Sequence, residues 1–526
     1  MRFIIVTALL PAALLSVTLS CDMTSPAPDL VERSDPDHRT QTGTLWAPFL
    51  EWSVPNPSYD GNPYDVIATV TFVHSGSGEV RETQMFYAGG NEWRFRFTGT
   101  RTGEWTFEST SEDPDLGGQL GRVLIEPNPD PSIEGFLQAD GNRFAVQVGE
   151  GGEVRPRLYN VYMNAAHAGS LGDYSLEART LRSQVDQLLN EAQAHVFDAV
   201  FVAVNNNWFD FGSSSHLDHD SENPDPDAFV VLEELITRAH ARGLSVHIWK
   251  WGDEERHWTP VGVGGINGVP DRRLQRYIAA RLGPLPGWTM SYGFDLDEWV
   301  APEEVRSWAE YMGAHFGWPH LLMARESGQD RVHPSETFSL GDRKLDVFSS
   351  DQRPEADFFQ WTKGLLTEAE GRPLLYERRF LHTRDRFWDM DTTRRALWQF
   401  TLGGGAGAIW GILWGNGDPY PRPQELGTHG QFWKGRFLSE MEPTSRSAGS
   451  YTISTRGGTH FVLYREDAST LRLDLTRMEG AKPAVAVDTR RPYAEIPIGT
   501  LDPGDHLWRA PHRSDWAVAV GTFPHR

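Results

Sequence analysis

"MSYGFDLDEWV", residues 290–300, is the stretch on which the reading of this chain turns. Apolar and aromatic positions run straight into Asp295, Asp297 and Glu298, and Trp299 follows at once. A strand ending in a carboxylate cluster is costly to cover, because each charge gives up its hydration unless something pairs with it. Two questions follow: whether other segments share this form, and whether one of them supplies a partner carboxylate.

Other segments do share it. Between residues 137 and 440, eight apolar runs recur: "RPRLYNVYM", "FDAVFVAV", "LSVHIWKW", "TMSYGFDL", "PHLLMA", "LDVFSS", "RPLLYE" and "GAGAIWGILW". Helix-like stretches such as "SLEARTLRSQVDQLLNEAQAH" and "DAFVVLEELITRAHARG" lie between them. "APEEVRSWAEYMGAHFG" carries Pro at its start, acids in its first turn and Gly at its end, the expected start and stop chemistry of a helix. Strand and helix alternating to a count of eight predict a (β/α)8 barrel, an α/β fold, over 137–440. A doubly wound sheet would need a Gly-rich phosphate loop after its first strand, and "YNVYMNAAHAG" is not one. "GGGAG" at 403–407 precedes its strand instead of linking strand to helix, so no cofactor is expected.

The flanks have a different grain. Residues 45–130 read as an antiparallel β-sandwich of alternating runs split by Gly, Asn and Ser turns. Trp93, Phe95, Phe97, Trp105 and Phe107 alternate there and are expected to be core. Residues 448–526 return to β runs and predict a small terminal domain. At the other end, "MRFIIVTALLPAALLSVTLSCD" has the form of a secretory signal: Arg2, an apolar run, and Ser20 before Cys21. Cys21 is the only cysteine, which excludes an internal disulfide. A lone cysteine at the cleavage point resembles a bacterial lipoprotein, although Leu19 stands two places before it where the usual box has Leu three before. That resemblance implies export of the chain, a lipid on Cys21 as its sole link to a membrane, and a polar tether over 22–44; free secretion without the lipid is the alternative.

Composition narrows the function. The chain has 526 residues and a formal charge of -23, which argues against a nucleic-acid or anionic-membrane footprint. Twenty tryptophans are explained equally by large core side chains and by stacking against sugar rings.

In a parallel barrel the C-terminal strand ends converge on the active site. Taken strand by strand, these ends offer Asn160; Asn207 and Trp208; His247 and Trp251, with Asp253 and Glu254 beyond; Asp295, Asp297 and Glu298; Arg325 and Glu326; Asp351; Glu377; and Trp410 with Trp414. Glu377, in "RPLLYERRF", is the partner the opening stretch requires, unless Arg378 and Arg379 merely pair it. Two carboxylates facing each other across a sugar can cleave a glycosidic bond, with retention when about 5–5.5 Å apart and inversion at about 6.5–9.5 Å. Candidate substrate contacts are Asn160, Asn207, Trp208, His247, Trp251, Asp295, Asp297, Arg325, Trp410 and Trp414.

These motifs resemble the retaining barrel glycoside hydrolases of clan A, and the domain order resembles their apiosidase-like branch. "NPYDV" and "FYAGGNEWRFRFTGTRTGEWTF" resemble the β domain of unassigned function that precedes such barrels, and "APHRSDWAVAVG" the small closing β domain often labelled collagen-binding. The resemblance implies a carbohydrate substrate, Glu298 as acid/base after strand four and Glu377 as nucleophile at the end of strand seven. Asp297 stands where the family has Asn, and the apiosidase-like branch uses an Asp at strand four, so Asp295 and Asp297 stay open as the acid.

Rival chemistries lack their signatures. "HIWKWGDEERH" offers His247, Asp253, Glu254 and His257 without the H-E-x-x-H spacing, so no catalytic metal is expected. "GTHGQFW" is not a nucleophile elbow. The alternative is a surface carbohydrate-binding lipoprotein on a non-catalytic barrel, which would lack one of the paired carboxylates.

Overall fold

Eight parallel strands form the central sheet of the computed structural model, which describes residues 40–164, 178–212, 217, 221–252, 257–325, 345–350, 357–380, 389–412, 422–444 and 449–524. In chain order they are Val161–Asn164, Ala199–Ala203, Ser245–Trp249, Trp288–Ser291, Leu321–Met323, Phe348–Ser350, Leu374–Phe380 and Gly407–Ile412, here strands one to eight. They pair in the order 5-4-3-2-1-8-7-6. Strands five and six meet through Asp346, whose backbone N–H donates to the Leu322 carbonyl at 3.0 Å. Its carboxylate also accepts from the Leu322 N–H at 2.9 Å, so a side chain supplies a ladder bond at the closing seam. With a helix following each strand except the fifth among the described residues, this is the expected (β/α)8 barrel.

Strand parity sorts the side chains. Val200, Val202, Val246, Ile248, Trp288, Met290, Leu374, Tyr376 and Trp410 point outward and pack with helix residues such as Leu188, Leu232, Leu235, Ile278 and Leu397. Val161, Ala199, Phe201, Trp249, Leu321, Met323, Leu375 and Ile409 point inward and fill the barrel. The inward parity also carries His247, Thr289, Ser291 and Glu377, all buried. A polar layer therefore lies inside the barrel.

The run 155–163, expected as a single strand, is two. Val154–Arg157 joins an antiparallel sheet with Leu137–Asp140 and Arg143–Gln147. This sheet floors the barrel, with Phe144 stacked on Tyr159 at 4.6 Å. The Asn160 carbonyl accepts from the N–H groups of Asp198 and Ala199 where strand two begins. Asn160 thus stands at the start of strand one, at the end opposite the C-terminal rim, and is not a substrate contact. The glycines at 403–407 serve packing: a Cβ on Gly407 would lie 2.2 Å from the Tyr159 carbonyl oxygen.

Two β units flank the barrel. The first pairs a five-stranded sheet with a three-stranded one around Trp52, Phe72, Trp93, Phe95, Phe97, Trp105 and Phe107. All of the expected core aromatics are buried there. Its edge strand, Gln41–Thr44, lies in the segment expected as tether and pairs in parallel with Val123–Glu126. The second unit is a six-stranded sheet running from Met441–Pro443 to Gly504–Val520. No helix among the described residues is long and apolar enough to cross a membrane. Cys21 and the signal and most of the tether lie outside the described residues.

Candidate active site

Glu377 sits in strand seven on the inward parity and is fully buried. Its Oε2 lies 3.3 Å from Nε of Arg325 and accepts from Oγ of Ser291 at 3.3 Å. Its Oε1 faces Nε2 of His247 at 3.5 Å. An ionised carboxylate in a barrel interior costs several kcal/mol of hydration unless such groups replace the water. The guanidinium, the hydroxyl and the imidazole are that replacement.

Arg325 follows strand five and reaches two acids. Its Nη1 lies 3.6 Å from Oδ1 of Asp295, while its Nε faces Glu377. Beneath it lies the Trp249 ring, whose centroid is 5.0 Å from the guanidinium carbon, a cation–π contact. Asp295 adopts a left-handed backbone, φ +52°, that few residues besides Gly, Asn and Asp tolerate. That turn ends strand four's exit and opens the short helix Leu296–Glu298. Leu296 is buried in the core, Asp295 and Asp297 are half-buried, and Glu298 is exposed at the end of the turn.

Behind this layer runs a chain of hydroxyls. The Tyr159 hydroxyl lies 2.8 Å from Oγ1 of Thr289, which lies 3.0 Å from Nδ1 of His247. Tyr159 thus reaches Glu377 only through Thr289 and His247. Arg325 faces it directly. His247 is fully buried with its free nitrogen toward Glu377, so it addresses the carboxylate and not a sugar hydroxyl.

Four further expected sugar contacts are packing groups. Trp208 is buried, donates from Nε1 to the Lys250 carbonyl at 2.8 Å and packs on Phe229. Trp251 is buried and stacked with Phe209, ring centroids 6.2 Å apart. Trp410 faces the helices and packs edge-on to Phe197. Asn207 spends its amide on its own loop, donating to the Val204 carbonyl and accepting from the Gly212 N–H. Trp414, Asp253, Glu254, Glu326 and Asp351 lie outside the described residues, as do the side chains of Arg378 and Arg379. Thr289 and Ser291 were missed by sequence reasoning. Their signal was available: in "TMS" two small hydroxyl residues take alternate positions of a buried strand that leads to the acids.

The described residues hold no group of three or more His, Cys, Asp or Glu arranged to bind a metal ion. The arrangement instead puts one enclosed carboxylate under a guanidinium, with further acids on the turn after strand four.

Barrel, floor and flanking sheets together are an architecture shared with glycoside hydrolases. A model for a domain of unknown function, DUF5060, matches residues 44–112. Among solved structures, a Bacteroides vulgatus protein assigned provisionally as a glycoside hydrolase superposes with a TM-score of 0.69 at 13% identity, covering 91% of this chain and 99% of that one. A family 5 glycoside hydrolase from Bacteroides vulgatus gives 0.55 at 15% identity over 74% of this chain and 92% of that one. Another structure named only as a glycoside hydrolase gives 0.55 at 14% identity, over 74% and 97%. At these identities the likeness is one of fold. No curated protein matches the sequence.

Proposed function

We propose that this protein is a glycoside hydrolase that cleaves O-glycosidic bonds of an oligo- or polysaccharide with retention. Glu377 is its nucleophile and Glu298 its acid/base. The observation that carries the reading is Glu377 itself: a carboxylate in barrel strand seven, inside the barrel, held by Arg325, Ser291 and His247. A nucleophile must be held in place for attack on the anomeric carbon, and these three neighbours orient the carboxylate. The fold shared with glycoside hydrolases supports the same class.

Among the acids after strand four, roles separate by neighbour. Asp295 is the second counter-ion of Arg325, a part that needs its charge. An acid/base must instead carry a proton and reach a glycosidic oxygen arriving from solvent, and Glu298 is the exposed member of the trio. Protonating the leaving oxygen while Glu377 attacks the anomeric carbon gives a glycosyl-enzyme, which water attacks once Glu298 has become the base.

The test is turnover on a panel of aryl glycosides and plant or algal oligosaccharides, with protein lacking residues 1–21 and Glu377→Gln beside it. Turnover lost by at least about 1000-fold in the variant, with its melt still cooperative, supports the reading. A fluorosugar inactivator should become esterified to Glu377, which would also establish that the enclosed carboxylate is reachable. Sugar binding without turnover would move the assignment to a binding protein. We further propose that Cys21 anchors the chain to a membrane by a lipid. Cys21→Ala releasing the protein from the membrane fraction tests that separately.

A further inference from the structure

We propose that Tyr159 and Thr289 are positioning residues: a one-way hydrogen-bond relay through them holds His247 with its ring hydrogen on Nε2, aimed at Glu377. The inference rests on the proposed role of Glu377. It concerns four side chains from four parts of the barrel: Tyr159 before strand one, His247 in strand three, Thr289 in strand four and Glu377 in strand seven. All four are fully buried.

The direction of the relay follows from counting hydrogens. A phenol has one, and burial pushes the Tyr159 ionisation well up, so that hydrogen stays. Its partner is the Thr289 hydroxyl at 2.8 Å, so Tyr159 donates and Thr289 accepts. The hydroxyl of Thr289 also has one hydrogen, and its other polar neighbour is Nδ1 of His247 at 3.0 Å. Thr289 therefore donates to Nδ1, which must present its lone pair. In the neutral ring, the hydrogen then stands on Nε2.

Running the relay backwards fails. If Nδ1 carried the hydrogen, Thr289 would accept from the ring, and then either its own hydrogen or the phenol hydrogen would be left without an acceptor among the described residues. A buried donor left unpaired in this way is destabilising. Among the described residues neither Nε2 of His247 nor Oε1 of Glu377 makes a hydrogen bond, and the two atoms face each other at 3.5 Å. That distance is long for a hydrogen bond, and catalytic contacts of this kind tighten in the reacting complex.

The consequence is a carboxylate held from both sides. Arg325 and Ser291 fix Oε2, and the Nε2–H of His247 fixes Oε1. A ring with the opposite tautomer would turn a lone pair toward Oε1 and repel it. Thr289 and Tyr159 touch neither the sugar nor Glu377, yet they decide which of the two His247 presents.

The experiment uses the mature protein labelled with 15N-histidine. Long-range 15N–1H correlations report the tautomer, and the His247 signals are assigned by their loss in His247→Gln. The wild type should show Nε2–H. Thr289→Val, which keeps the shape and removes the relay, should mix or invert the tautomers, and Thr289→Ser should restore the pattern. In turnover, Thr289→Val should lower kcat roughly 10–100-fold, the range for losing an imidazole's outer partner, with KM changed under about threefold. Tyr159→Phe should act in the same direction and serves if Thr289→Val does not fold. An Nδ1–H ring in the wild type, or tautomer and kcat both unmoved by Thr289→Val, overturns the relay. An Nε2–H ring in protein that cleaves no glycoside supports the relay and overturns the proposed activity instead, so the two failures are distinct.

Discussion

Arg325 faces Glu377 through Nε and Asp295 through Nη1, and its guanidinium carbon sits over the Trp249 ring, 5.0 Å from the centroid. Only a planar fork does all three. Lysine would keep the charge but present a point, lose the stacking and reach one acid at a time. Arg325→Lys is therefore expected to lower kcat/KM by at least about 100-fold, with Tm within a few degrees of the parent; near-normal turnover would refute the bridging role. The acid is tested by leaving group. Glu298→Gln should lose activity on alkyl glycosides by about 100–10,000-fold and retain far more on dinitrophenyl glycosides, which leave without a proton, and azide should rescue it. If Asp295→Asn shows that pattern instead, the assignment moves to Asp295. At this scale the sequence was partly legible. Glu377, Arg325 and Asp295 could be found because a charged residue at the end of an apolar strand has few structural uses. Trp208, Trp251 and Trp410 could not be sorted, because an indole is equally at home in a core and on a sugar. Strand parity could have settled Trp410, which stands one place from the inward Ile409.

Between elements, three buried histidines do the joining. His240, in the helix Pro226–His240, meets the Glu134 carbonyl at 2.7 Å. His320, ahead of strand five, meets the Gly283 carbonyl at 2.7 Å and stacks on Trp288. His429, in the helix Pro423–Trp433, meets the Thr401 hydroxyl at 3.0 Å. Burial pushes His240 and His320 down to about 4 and His429 down to about 3. Each stays neutral when folded while its unfolded counterpart takes up a proton below about 6.5. The unfolded chain binds more protons in that window, so stability is complete above pH 6.5 and falls as the pH drops toward 4. Each histidine should contribute about 1–3 kcal/mol of that loss. His320→Gln keeps a donor for Gly283 and cannot charge, so its Tm should fall less steeply between pH 6.5 and 4 than the parent's; parallel curves would refute the linkage. Element order was the most legible level, since apolar runs and helix start signals are local. Strand one was not, because "RPRLYNVYM" is apolar across a turn and hides the break between floor sheet and barrel. The Asn160 reading failed on that register.

Across the whole molecule, the barrel shares its interior with both flanking sheets. Trp318, from the barrel, sits in the sandwich core and donates to the Thr98 carbonyl at 3.0 Å. Arg96 of the sandwich holds its own Glu51 at 2.7 Å and the barrel's Glu233 at 2.8 Å. On the other side Asp515, fully buried in the terminal sheet, receives Arg394 and Arg395 from the helix Met390–Leu402, the latter at 2.8 and 2.9 Å, and the Asp467 N–H at 2.7 Å. Arg394 is itself buried and also holds Glu425 at 2.7 Å. Trp398 of the same helix stacks on Tyr464 of the terminal sheet, ring centroids 5.3 Å apart. None of these pairings was legible, because partners 31 to 220 residues apart leave no local pattern. They make one expectation concrete. Asp515→Asn leaves the buried Arg394 and the part-exposed Arg395 facing an amide, with part of that positive charge uncompensated. Such a loss costs about 3–5 kcal/mol. Because the terminal sheet and the barrel share side chains in one core, the loss should lower a single cooperative transition, seen alike by tryptophan fluorescence and far-ultraviolet circular dichroism in urea. Two separated transitions, with the barrel's midpoint unmoved, would show instead that the terminal sheet folds as an independent unit and that the helix Met390–Leu402 needs no support from it.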